Sequence, residues 1–204
     1  AQGDAGITFV VAAGNESANN DRTDIFPANA KLPNVISVAA SSSNDARPYW
    51  SNYGRTRVAL AAPGDDIMST LPENQHGSLS GTSMATPLVA GLVALLKSQH
   101  KDTLGAQEAR ALLQSTGDKV KIESACNCRI NAQAAASALH DHKLILVPTA
   151  QTFRMGDEGK FTAFGGKGPY TFTSATPEVL TVAADGRLNT CLLYTSPSPR
   201  DQRG

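Results

Sequence analysis

Three short apolar runs constrain the fold of this chain most strongly, because none of them alternates regularly with polar residues. They occupy residues 7–13 (Ile-Thr-Phe-Val-Val-Ala-Ala), 35–40 (Val-Ile-Ser-Val-Ala-Ala) and 58–62 (Val-Ala-Leu-Ala-Ala). A strand with one solvated face alternates apolar and polar side chains, whereas a strand covered on both faces is almost continuously apolar. The runs therefore predict three buried strands of a parallel sheet.

Three segments with helical patterning follow, at residues 83–99, 106–114 and 131–140. The first carries leucines at helical spacing, and the third begins at Asn131, a residue type that favours the N-cap. Strands and helices in this combination predict an α/β domain over residues 1–141, with a parallel sheet in a three-layer arrangement.

The pattern changes after residue 141. Short runs rich in Thr and aromatic residues, separated by Gly and Pro turn signals, occupy residues 143–147, 160–164, 170–173 and 179–182. Alternation with regular turns predicts antiparallel strands of a β-sandwich. The strings at 165–172 and 185–188 resemble the start of a bacterial immunoglobulin-like module. We therefore expect residues 142–190 to be part of an Ig-like domain.

Residues 191–204 differ in composition from the preceding strand-like segments, because a Ser/Pro-rich string replaces their alternating pattern. The string at 191–201 looks, residue for residue, like the translation of a transposase adaptor used in sequencing libraries, and we expect residues 191–204 to be no part of the fold. The alternative is a Ser/Pro-rich linker. Without Cys191, the chain has two cysteines, Cys126 and Cys128, too few for a zinc site. Three interpretations stay open for this pair: free thiols, a local disulfide, or a bridge to a cysteine outside the sequence.

The charge balance excludes two classes of partner. The chain has 18 basic and 18 acidic side chains, so it lacks the basic field that attracts nucleic acid or an anionic membrane. Its longest apolar candidate, residues 88–96, is too short to span a bilayer.

The strongest chemical signal is the string Gly-Thr-Ser-Met-Ala-Thr-Pro at residues 81–87, which opens the first expected helix. Ser83 would lie beside unpaired backbone N–H groups at the helix N-terminus, which suit a nucleophile whose attack creates an oxyanion. The alternative is that Ser83 only caps the helix, the commonest role of such a serine. The string alone favours neither interpretation.

Asn15 is the second candidate, because it follows the first buried run. Its side chain would emerge at the carboxyl end of a strand, the edge at which open α/β sheets bind ligands. Its amide could donate to an oxyanion, whereas the alternative is an Asn in an ordinary Gly-Asn turn. A functional role for Asn15 therefore depends on Ser83.

Several further strings occur in a fixed order: Ala-Ala-Gly-Asn-Glu (12–16), Leu-Pro-Asn-Val-Ile-Ser-Val (32–38), Ser-Asn-Tyr-Gly (51–54) and Ala-Ala-Pro-Gly (61–64). Together with residues 81–87, they resemble the subtilisin-like serine proteases over about residues 5–140.

The resemblance implies that Ser83 forms an acyl-enzyme with a peptide substrate, while Asn15 and the Ser83 backbone N–H form the oxyanion hole. It further implies a set of residues that contact the substrate: Ala12, Ala13, Gly14, Ile25 and Thr82. No cofactor is needed for this chemistry and no metal site is expected. The resemblance allows structural calcium in a full-length parent protein, although we interpret the polar residues 19–24 as a hydrated loop.

One departure from the family pattern is large. The family places its catalytic Asp and His before the oxyanion Asn, but only 14 residues precede Asn15 here and none is His. We therefore expect the C-terminal half of a catalytic domain, inactive alone. A local triad of Asp65 or Asp66 with His76 and Ser83 is rejected, because the family has a cleft-lining loop residue at the position of His76.

Two functional hypotheses follow. The first is a bacterial serine endopeptidase, secreted or at the cell surface, that acts on polypeptides and is monomeric in its full-length form. The second is a non-catalytic extracellular binding or adhesive protein on a degenerate protease scaffold. The upstream Asp and His distinguish the two.

Overall fold

The computed structural model describes residues 6–100, 104–149 and 159–190, so the expected tail at 191–204 lies outside the described residues. Three helices lie within these ranges: α1 (Thr82–Gln99), α2 (Ala106–Thr116) and α3 (Ala132–His140). The strands are β1 (Phe9–Ala12), β2 (Val35–Ser41), β3 (Leu60–Pro63), β4 (Ile67–Leu71), β5 (Gln75–Leu79), β6 (Asp118–Lys119), β7 (Cys128–Arg129), β8 (Ile145–Val147), β9 (Gly159–Lys160), β10 (Thr162–Phe164), β11 (Leu180–Val182) and β12 (Arg187–Thr190).

The central sheet has the strand order β1-β2-β3-β7-β6. The first four strands run parallel to one another, and β6 is antiparallel to β7. All seven residues of β2 are buried, as its apolar sequence predicts for an inner strand. The parallel-sheet α/β prediction is confirmed, while the three-layer arrangement stays a prediction.

Helix α1 packs across β1, β2 and β3. Buried side chains of the sheet, including Ile36, Val38 and Leu60, share one core with Val89 and Leu96 of α1. Burial of each such side chain contributes about 1.5–3 kcal/mol to folding. This packing brings the first turn of α1 to the edge at which the parallel strands end. Within the described residues, none of the three helices combines the length and the hydropathy that a transmembrane segment needs.

Strand β8 belongs to the same core, since Ile145 and Val147 are buried with Leu112 of α2. It pairs with β10, with Ile145 opposite Phe164. Residues on both sides of the expected boundary at 141/142 therefore share one core. The division into two domains at this position stays a prediction.

A three-stranded antiparallel sheet, in the order β11-β12-β9, lies downstream. An Asp-Gly turn at 185–186 joins β11 to β12, with Gly186 at φ 83°. The prediction of a strand at 170–173 is wrong, because these residues form no strand. The preceding Pro169 has no N–H for a ladder, and the Tyr170 hydroxyl donates to the carbonyl of Gly165 instead. The Ig-like domain stays a prediction.

Cys126 and Cys128 form a disulfide, with their Cα atoms 5.1 Å apart. Of the three interpretations that the sequence leaves open, the structure contains the local bridge.

Candidate active site

The end of β1 and the start of α1 meet through Asn15 and Thr82. The Asn15 Oδ1 atom accepts hydrogen bonds from the Thr82 backbone N–H at 3.0 Å and from the Thr82 hydroxyl at 2.9 Å. The hydroxyl in turn accepts from the Gly14 N–H at 3.2 Å. Asn15 is exposed while Thr82 is buried. The carboxamide is thus held by its oxygen, and its NH₂ group is available as a donor beside Gly81.

Ser83 lies in the first turn of α1 and is exposed. The N-cap of this helix is Gly81, and no side chain caps it, so the interpretation of Ser83 as the capping residue is wrong. The N–H groups of Met84 and Ala85 both donate to the Gly81 carbonyl. Among the described residues, the Ser83 N–H has no hydrogen-bond partner. Two donors, the Asn15 amide and the Ser83 N–H, therefore flank the start of α1.

The histidines lie elsewhere. His100 is the C-cap of α1, and at a rise of 1.5 Å per residue it lies about 25 Å from Ser83. It lines a cavity of about 640 Å³ together with His140 and His142. His76, expected in a solvated loop, is exposed but lies in β5, opposite Thr70. The expectation of a loop at this position is therefore wrong.

The expected substrate-contacting residues differ in exposure. Ala12 ends β1 and is half-buried like Gly14, whereas Ala13 is fully buried and packs with Ala39 and Ala61. Ile25 is half-buried and lies in the loop between β1 and β2. The contacts that these residues make with a substrate stay predictions.

Two buried asparagines beneath the site were not predicted from the sequence. The carbonyl of Ala13 accepts from the Nδ2 atoms of Asn20 and Asn52, at 2.9 and 3.0 Å. Both asparagines are almost completely buried. Their only sequence signal is an Asn in the polar stretch 15–29 and another within the string at 51–54, where a turn is the default interpretation.

Asp21, in the polar loop at residues 19–24, binds the neighbouring segment 55–57. Its carboxylate accepts from the backbone N–H groups of Arg55, Thr56 and Arg57 and from the Thr56 hydroxyl. Burial alone raises the pKa of Asp21, but these hydrogen bonds outweigh it and hold the pKa below its ordinary value. The interpretation of residues 19–24 as a loop without calcium stays a prediction. The described residues contain no cluster of His, Cys, Asp or Glu suited to a metal ion.

The fold and the site define a parallel α/β protein whose candidate site lies where the strands end and the long helix begins. A family model described as "Subtilase family" matches residues 1–165. The chain belongs to the subtilase family.

Individual relatives are similar over only part of their length. The thermophilic serine proteinase of Bacillus sp. (strain AK1) is 44% identical over 115 residues, which are 56% of this chain and 26% of the relative. The extracellular protease of Xanthomonas campestris pv. campestris is 38% identical over 143 residues, which cover 65% of this chain and 24% of the relative. The chain thus spans 26% and 24% of these two curated relatives.

A solved structure of a protease from Pseudoalteromonas arctica PAMC 21717 superposes with a TM-score of 0.60 at 31% sequence identity. The match covers 67% of this chain and 44% of that chain.

Proposed function

We propose that this chain carries the nucleophile and the oxyanion hole of a serine endopeptidase. The Ser83 oxygen attacks the carbonyl carbon of a peptide bond, the C–N bond breaks, and the amine leaves with a proton from the general base. Water then hydrolyses the resulting acyl-enzyme. The Asn15 amide and the Ser83 N–H donate to the oxygen of the tetrahedral intermediate. Loss of one such side-chain donor in a subtilisin lowers kcat by about 10²–10³.

One observation carries the proposal: Thr82 binds the Asn15 oxygen while the Ser83 N–H beside it has no hydrogen-bond partner among the described residues. An oxyanion hole needs donors that are preorganised and unoccupied before the substrate arrives. A structural turn would instead consume these donors within the protein.

The remaining parts of the mechanism extend this proposal. Polypeptides are the substrates, with residues 12–14, Ile25 and Thr82 near the bound chain, and the chemistry uses no cofactor. A general base takes the Ser83 proton; we assign it to a histidine that is not among the four of this sequence, because His100, His140 and His142 cluster at the far end of α1 and His76 pairs with Thr70 in the β4–β5 hairpin. Family membership and a relative named an extracellular protease support secretion.

The test uses the protein expressed at its full genomic length. Ser83→Ala should lower kcat on a peptide substrate by a factor on the order of 10⁶ and abolish labelling by a serine-directed fluorophosphonate. Ser80→Ala is the matched control, since Ser80 is an exposed neighbour whose hydroxyl accepts from the Asp66 N–H. Activity that survives Ser83→Ala would mean that the nucleophile is wrongly assigned.

A further inference from the structure

The carboxamide of Asn52 lies beneath the loop that carries Asn15. The Asn52 side chain has no exposed surface. Its Oδ1 atom accepts from the N–H groups of Glu16 and Ala18, both at 2.9 Å. Its Nδ2 atom donates to the Ala13 carbonyl at 3.0 Å and to Glu16 Oε2 at 2.9 Å. Two donors and two acceptor positions are the full capacity of a carboxamide, so every one is used.

The loop is also tied to the backbone of Asn52, whose N–H donates to the Gly14 carbonyl at 3.0 Å. Asn15 therefore lies between two fixed points, the carbonyl of Gly14 before it and the N–H of Glu16 after it. No hydrogen bond joins Asn52 to Asn15 itself within the described residues. Any effect of Asn52 on the direction of the Asn15 side chain must therefore pass through the backbone on either side.

Gly14 makes this close packing feasible. It has φ 112°, a region that side chains rarely adopt, and a Cβ at this position would collide with Asn52 Nδ2. The space that a side chain would fill at residue 14 is occupied by the Asn52 carboxamide. The turn before Asn15 and the buried Asn52 therefore form one unit.

We propose that Asn52 is a positioning residue that aims the Asn15 amide at the oxyanion. This inference rests on the proposed function and adds a determinant of its rate that does not touch the substrate. Because the Asn52 side chain fixes four atoms of residues 13–18, its removal lets the loop relax. Misplacement by about 1 Å in a catalytic arrangement lowers the rate by about 10².

The first experiment compares kinetics in the full-length protein. Asn52→Ala should lower kcat about 10–100-fold, with a much smaller change in KM, because the lost interaction acts mainly in the transition state. Asn52→Ser keeps one small polar group that can replace only part of these hydrogen bonds, and its kcat should lie between those of the wild type and Asn52→Ala. This second variant replaces Asn52→Ala in the kinetic comparison if Asn52→Ala does not fold.

Asn34→Ala is the matched control. Asn34 is 4% exposed, and its Nδ2 donates to the Ile7 carbonyl at 2.8 Å, before the start of β1 and away from the site. Its loss should lower stability while kcat stays at the wild-type value. Equal losses of kcat in the Asn34 and Asn52 variants would show a general effect of destabilisation and overturn the proposal.

A double-mutant cycle with Asn15→Ala separates the two proposals. If Asn52 acts through Asn15, Asn52→Ala lowers kcat less than about threefold further once Asn15 has been replaced. If Asn52→Ala lowers kcat as much in the Asn15→Ala protein as in the wild type, the positioning role is overturned. Wild-type kcat in Asn15→Ala overturns the oxyanion assignment itself. A loss in Asn15→Ala combined with wild-type kcat in both Asn52 variants overturns only the role of Asn52.

Discussion

Asn15 and Thr82 lie 67 positions apart in the sequence, yet one carboxamide oxygen of Asn15 accepts from both the N–H and the hydroxyl of Thr82. This pair joins the end of β1 to the start of α1. It leaves the NH₂ group of Asn15 as the end that can reach a ligand. The orientation of the candidate oxyanion donor therefore depends on a buried threonine hydroxyl.

The first prediction concerns this hydroxyl. Thr82→Val removes a donor to Asn15 and leaves the Gly14 N–H without its acceptor. A part-buried group left without a partner costs about 1–3 kcal/mol. We expect a loss of this size in the free energy of unfolding, measured by urea denaturation, and a lower kcat in the full-length protein.

Thr82→Ser retains the hydroxyl and should stay near wild type in both measurements. Thr86→Val, one turn along α1, removes a hydroxyl whose one hydrogen bond within the described residues is to the Thr82 carbonyl. It should leave kcat unchanged. If Thr82→Val has wild-type kcat, the Thr82 hydroxyl does not orient Asn15.

The apolar runs predicted the central sheet because burial on both faces leaves one consistent pattern in a sequence. Residues 9–12 and 35–41 form strands within about two residues of the predicted bounds. The β4–β5 hairpin was not predicted. Its residues are mostly exposed, so no buried face imposes a pattern on the sequence, and its turn at 72–74 has no Asn-Gly or Asp-Gly signal.

The candidate site was predicted only in part, for a different reason. Ser83 and Asn15 carry local signals, since each follows or opens an element with its own pattern. Asn52 has no such signal, because its role comes from packing against a loop 36 positions away. Contacts of this kind depend on the tertiary fold, and a single sequence does not specify them.

A second prediction compares two glycines. Gly14→Ala places a Cβ against Asn52 Nδ2 and Glu16 Oε2 at φ 112°, which we expect to lower the free energy of unfolding by about 2–5 kcal/mol. Gly91 lies inside α1, where a Cβ meets no atom within 4 Å. Gly91→Ala should therefore stabilise the chain by up to about 1 kcal/mol through helix propensity. Thermal and urea denaturation of the 204-residue chain measure the free energy of unfolding of both variants. A wild-type free energy of unfolding in Gly14→Ala would contradict the close packing of Gly14 against Asn52.

The third prediction is a pH dependence that arises at Asp21. Its hydrogen bonds favour the ionised form in the folded state and hold its pKa below the ordinary value of 3.8. A group whose pKa is lower when folded contributes stability above its unfolded pKa, and the contribution disappears as the pH falls through the folded value. The wild type should therefore exceed Asp21→Asn in stability at pH 7, and the difference should shrink below about pH 4.

Urea midpoints between pH 7 and pH 2 measure this difference. Asn19→Ala is the control, because it removes the acceptor of the Asp21 N–H without removing a titratable group. Its difference from the wild type should stay nearly constant over the same range. A constant difference for Asp21→Asn as well would mean that the three N–H groups of residues 55–57 do not select the ionised carboxylate, and that Asp21 stabilises the loop by packing alone.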